Sequence, residues 1–113
     1  MTRSPDRDDI PPGTLEVLIL KTLTRHDRLH GFEIAESIQA RSDDVLTVEE
    51  GSLYPALQRL LGKGWISDTW GRTPENRRAR YYRVTAAGRR QLDRELERYH
   101  RVARAIARVL LPA

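Results

Sequence analysis

The stretch "AAGRRQLDRELERYHRVARAIARVLL" reads as one long helix, with Thr85 before it as the cap. Its apolar residues Leu92, Leu96, Tyr99, Ala103, Ile106 and Leu110 are spaced by four, three, four, three and four positions. That is a 3-4 seam over nearly three heptads. Most other positions are charged, from Arg89, Arg90, Asp93 and Arg94 through Glu97 and Arg101 to Arg108. A helix of this length outruns what a small domain can cover, so part of the seam would face water in a monomer. Burying apolar surface is favourable by ~25 cal/mol per Å², so a partner helix is expected. Residues 86–113 are therefore expected to form a dimerisation helix. The part near Leu92 can also pack on the first helix of its own chain, which accounts less well for Ile106 and Leu110.

The remainder is short. A chain of 113 residues holds one domain with a modest core. It has 20 basic and 16 acidic residues, a net charge of +4, and its only lysines are Lys21 and Lys63. Arginine keeps its charge and offers a planar fork to phosphates and guanine edges. An anionic partner fits that excess, although codon bias alone would also give it. The absence of cysteine removes disulfides and thiolate metal sites. The N-terminus "MTRSPDRDDIPPG" has no apolar signal-peptide run, and "LEVLILKTL" is too short and too charged to span a bilayer, so a cytoplasmic location is expected.

Residues 1–11 are polar, charged and proline-bearing, and read as a mobile arm. Pro12 fits a helix start, with Thr14 as N-cap and Leu15, Leu18, Ile19 and Leu23 at helical spacing. "HDRLHG" breaks the pattern as a turn. "FEIAESIQAR" follows as a second helix with Phe32, Ile34, Ala35 and Ile38 toward the core. A third helix begins near Glu50, with Thr47 or Ser52 as alternative caps and Leu53, Leu57, Leu60 and Leu61 on its buried face. With Thr47 as cap, Pro55 falls deep inside and kinks the helix; with Ser52 it sits in the first turn. "GKG" ends it. "WISDTWG" and "RARYYRV" are short strands joined by "GRTPENRR", a basic hairpin. The fold class is mainly α with a small β-hairpin (α+β). Residues 12–85 supply the parts of a winged helix-turn-helix.

The stretches "GTLEVLILKTL", "HGFEIAESI", "EEGSLYPALQRLLGKGWI" and "RRARYYRVTAAGRRQL" together resemble a PadR-type transcriptional regulator. The single C-terminal helix resembles the small subfamily of these proteins. Phe32 stands where many members carry tyrosine. The resemblance implies a winged-helix homodimer that binds double-stranded operator DNA, usually as a repressor, with no cofactor.

The third helix, about residues 50–63, offers Ser52, Tyr54, Gln58 and Arg59 beside its buried stripe, with Lys63 at its end. Gln58 and Arg59 suit forked contacts to base edges; Ser52 and Tyr54 suit phosphates. The competing reading, of about equal weight, is that Tyr54 packs against the neighbouring helix and that Gln58 and Arg59 are merely solvated, as surface Gln and Arg commonly are. The wing, about residues 71–80, is the stronger signal. "RTPENRRARYYR" holds five arginines and one glutamate, with Arg77 and Arg78 near the tip and Arg80 two beyond. Such a run beside a reading helix suits phosphates or a minor groove. Of Tyr81 and Tyr82, on opposite faces of a strand, one is expected in the core. Trp65 and Trp70 read as packing residues.

Two other functional classes compete with this one. "HDRLH" places His26 and His30 four apart, as in a zinc-protease helix. Asp27 replaces the glutamate, Gly31 follows at once, and the remaining histidine, His100, lies on the last helix. Structural histidines are the better reading, so no metal, catalytic residue or enzyme activity is expected. A winged-helix protein–protein interaction module is the alternative to DNA binding. By analogy with the family, a pocket between dimer helices, lined by Tyr99, would suit an apolar effector.

Overall fold

The computed structural model describes residues 8–11 and 13–112. In chain order the elements are β1 (Asp8–Asp9), α1 (Leu15–Thr24), β2 (Leu29–His30), α2 (Gly31–Arg41), β3 (Leu46–Thr47), α3 (Glu50–Gly62), β4 (Ile66–Arg72), β5 (Arg78–Val84) and α4 (Ala86–Leu110). Three strands form an antiparallel sheet in the order β2-β5-β4, and β1 pairs in parallel with β3. This is the helical domain with a small β-hairpin that the sequence pattern indicates.

The helices form where apolar residues recur every three to four positions. In α1, Leu15, Ile19 and Leu23 lie one turn apart and are buried together with Leu20. Pro12 lies outside the described residues, and Thr14, at the N-cap position, makes no side-chain capping bond. In α2 the inward residues are Ile34 and Ile38. Phe32 is not among them, for it is 68% exposed. Two positions before Ile34 it lies about 200° round the helix, on the opposite face.

The turn read in "HDRLHG" ends in a short strand. Leu29 and His30 pair with Tyr82 and Tyr81. His30 then caps α2: its Nδ1 accepts from the Glu33 amide at 3.4 Å, and the Glu33 carboxylate accepts from the His30 amide at 3.1 Å. This reciprocal box gives His30 a structural role. His26 is exposed in the turn.

The α3 helix begins at Glu50, as expected, but neither Thr47 nor Ser52 caps it; Glu49 holds that position without a side-chain capping bond. Pro55 therefore lies inside the helix. It cannot donate to the Gly51 carbonyl one turn back. Gly51 and Pro55 are both exposed, so water can serve the freed carbonyl. Leu53, Leu57 and Leu60 are buried, as is Ala56, while Leu61 is half-buried.

The β4–β5 hairpin is in continuous register from Ile66↔Val84 to Arg72↔Arg78. Its loop closes compactly: Thr73 donates to the Arg77 carbonyl at 2.8 Å, and Asn76 takes the left-handed φ of 63° that asparagine tolerates. Both tyrosines of β5 are buried, and one of them, as expected, lies in the core cluster. Tyr82 joins the core. Tyr81 points the other way and is covered by the Arg28 guanidinium at 4.2 Å and the His30 ring at 5.5 Å.

Thr85 fastens α4 to the hairpin. Its hydroxyl accepts from the Gly88 amide at 3.0 Å and donates to the Gly64 carbonyl at 2.7 Å. The helix then packs on α1, burying Leu92 and half-burying Leu96. At the other end of the chain, Asp8 and Asp9 pair with Leu46 and Thr47. The last residues of the expected arm are thus tied to the body; residues 1–7 of it lie outside the described residues. Among the described residues, no helix is long and apolar enough to cross a membrane.

Candidate nucleic-acid interface

Residues opposite each other in an antiparallel ladder share a face. The register Asp68↔Tyr82, Trp70↔Arg80 and Arg72↔Arg78 therefore gathers three arginines and a tryptophan on one face of the hairpin. The Trp70 ring is 55% exposed, with the Arg78 guanidinium 4.4 Å and the Arg80 guanidinium 5.2 Å from its centre. Trp70 is thus no packing residue but the middle of a cationic stack. Arg80 is also ion-paired with Asp68, Nε to Oδ2 at 3.0 Å. Arg72 directly opposite Arg78 is a like-charge pair, which costs stability in isolation and is relieved by an anion. Arg77 is exposed where the loop enters β5. Burial pushes the Tyr82 phenol above its usual 10.0, while a bond from Arg80 and its charge pull the other way.

The α3 candidates divide between two flanks. Tyr54 and Gln58, one turn apart, face α2 and the wing. With Trp70, Arg77, Arg78 and Arg80 they line a single groove of about 970 Å³. The acidic residues Glu33, Glu36 and Glu75 line it too, but the Glu33 carboxylate is engaged in the α2 cap. Tyr54 both packs and remains accessible. Its hydroxyl lies so near Gly31 that a Cβ there would come within 2.9 Å of the oxygen, yet the residue is 45% exposed. Gln58 is exposed.

Ser52 and Arg59 face the other way, toward α1, and line a separate hollow of about 590 Å³ with Glu16 and Pro55. Arg59 is not merely solvated. Its Nε donates to Glu16 Oε1 at 2.8 Å, and Nη2 donates to the same oxygen. Lys63 is the C-cap residue of α3, with its ammonium 4.7 Å from the centre of the Trp65 ring. It lines neither hollow. Trp65 packs against the core, as expected.

The seam of α4 also divides. Leu92 is 3% exposed in its own chain's core, so it is not free to meet a partner. Leu96 is half-buried. From there outward the apolar residues are open: Tyr99 at 53%, Ile106 at 53% and Leu110 at 77%, joined by Val102 and Val109, with Ala103 half-buried between them.

Sequence reasoning missed Arg72, Trp70 and Glu16. Strict alternation along β4 and β5 would have put Trp70 and the arginines on one face once the register was known. No local signal marks Glu16, whose partner is 43 positions away.

The model of the transcriptional regulator PadR-like family matches residues 19–94. An uncharacterized protein of Lysinibacillus sphaericus is 31% identical over 100 residues, covering 88% of this chain and 91% of that one. The solved structure of a transcriptional regulator from Clostridium thermocellum superposes with a TM-score of 0.80 at 26% identity, over 88% of this chain and 95% of that one. Bacillus subtilis PadR in complex with operator DNA superposes with a TM-score of 0.64 at 23% identity, over 74% of this chain and 47% of that one. That last likeness is one of fold.

Proposed function

This chain belongs to the transcriptional regulator PadR-like family, and on that premise we propose that it represses transcription by binding a palindromic operator as a homodimer. The observation that carries this reading is the shared groove, in which Tyr54 and Gln58 of α3 meet Arg77, Arg78 and Arg80 of the wing. A helix flank supplies donors and acceptors suited to base edges, and beside it Arg77 and Arg78, which make no ion pair among the described residues, supply positive charge suited to phosphates, while Arg80 is held by Asp68. The operator complex of the Bacillus subtilis protein supports the same use of the fold. The open half of the α4 seam supports the homodimer. A two-fold pair would present its α3 helices to half-sites about one DNA turn, ~34 Å, apart.

The wing is expected to contribute affinity more than selectivity. Arg77→Ala and Arg78→Ala should each weaken binding to every sequence and flatten the log–log salt slope by about 0.9, one phosphate's worth of counterions. Titration of a duplex selected from a randomised pool, at several salt concentrations, measures this. Unchanged slopes in both variants would remove the wing from the interface. Salt-independent binding to a protein target in place of DNA would favour an interaction module. For Gln58, replacement by alanine should relax preference at one operator position by ~1–3 kcal/mol. Equal loss on all sequences would make it a phosphate contact instead.

A further inference from the structure

We infer that Glu16 decides what Arg59 does at the α3 surface: it holds the guanidinium as a neutral, oriented pair that reads a base edge and does not anchor to phosphate. This rests on the DNA-binding reading above and assigns a positioning role to a residue outside the reading helix. Glu16 stands in the first turn of α1, and the pair bridges α1 to α3 across 43 positions of sequence. The Glu16 side chain is 25% exposed and that of Arg59 56%, so the carboxylate is the sheltered member and the guanidinium the presented one.

The geometry restricts what remains. A guanidinium carries five N–H donors in a plane. Nε and Nη2 both donate to one oxygen, Glu16 Oε1. Two donors are thereby used, and among the described residues nothing accepts from Nη1 or from the second N–H on Nη2, on the side away from Glu16. Those donors still form a fork of the kind that fits guanine O6 and N7. The charge decides between a base and a phosphate. A phosphate within reach of Arg59 would also lie near the Glu16 carboxylate, whose repulsion offsets the attraction. A base edge has no net charge and meets no such penalty. Arg77 and Arg78 differ, since among the described residues neither makes an ion pair. Holding Arg59 in one orientation before DNA arrives also removes part of the side-chain ordering cost of binding.

The test is Glu16→Gln, which keeps the shape and a hydrogen-bonding oxygen but removes the charge. Binding would be titrated against salt on two probes: a duplex selected from a randomised pool by the parent protein, and poly(dI–dC). The free Arg59 cation should then engage phosphate. The expected result is a salt slope steeper by about 0.9 and roughly fivefold tighter binding to poly(dI–dC) at about 0.15 M salt. The ratio of selected to non-selected affinity should fall by at least about fivefold. Arg59→Ala should lower that ratio while leaving the slope unchanged. Thermal melting of Glu16→Gln separates misfolding from altered recognition, and Arg59→Ala tests the same claim without touching α1. If the parent binds the selected duplex and Glu16→Gln leaves slope and ratio as they were, the inference is overturned. A flatter slope in Arg59→Ala would overturn it as well, since Arg59 would then be a phosphate anchor. If the parent protein binds neither probe, it is the DNA-binding reading that fails.

Discussion

Ile106→Asp is expected to convert the proposed homodimer to a monomer and to abolish binding to a two-half-site operator, without altering α3 or the wing. Ile106 is 53% exposed in the isolated chain, midway along the open seam between Tyr99 and Leu110. Burying an isoleucine side chain is favourable by about 1.5–3 kcal/mol, and leaving a carboxylate in an apolar contact costs several more. Two-fold symmetry applies each term twice. A loss of at least about 5 kcal/mol follows, some 10³–10⁴-fold in the dimer dissociation constant. Sedimentation measures the state and titration of the selected duplex measures the consequence. Because Ile106 lies outside the core of the single chain, the variant should keep most of its helical circular dichroism. A variant that stays dimeric would place the interface elsewhere. A monomer that binds the full operator as tightly as the parent would separate dimerisation from DNA binding.

Gly88→Ala should destabilise the fold, against the usual rule that alanine improves a helix by ~1 kcal/mol over glycine. A Cβ at Gly88 would be driven into the Trp65 carbonyl oxygen and would meet Val84 Cγ2 at 3.0 Å. That carbonyl cannot easily retreat, since it accepts from the Thr85 amide at 3.0 Å and the adjacent Gly64 carbonyl accepts from the Thr85 hydroxyl at 2.7 Å. The obstacle is backbone, so the cost should reach the top of the overpacking range, about 3 kcal/mol. For a domain of this size that is a fall in Tm of roughly 12 °C or more, read at fixed protein concentration. Gly62→Ala is the control. Nothing lies within 4 Å of its added Cβ, so it should leave stability unchanged or raise it by up to ~1 kcal/mol. Equal melting temperatures for Gly88→Ala and the parent would mean that α4 does not seat on Trp65 as described.

What the sequence determined by itself is what local spacing can encode. Leu15, Ile19 and Leu23 recur at one turn, so α1 forms and its face is set. Thr85 precedes a long uninterrupted periodic run, so α4 starts where it does and its seam is legible to Leu110. The turn residues of "GRTPENRR" between two β-rich segments are enough for a hairpin with arginines at its tip. Tertiary structure decided everything that depends on residues far apart in the chain. Whether Leu92 or Ile106 is free depends on where α1 ends beneath α4. Tyr81 is buried because Arg28 and His30 come to lie over it, and β2 exists only because β5 offers it a partner. Trp70 becomes a stack for Arg78 and Arg80 through strand register, which a one-residue slip would reverse. Arg59 meets Glu16, and Gln58 beside it does not, because the α3 flanks diverge toward different neighbours. Helical periodicity says which residues share a face; only the packed chain says what each face meets.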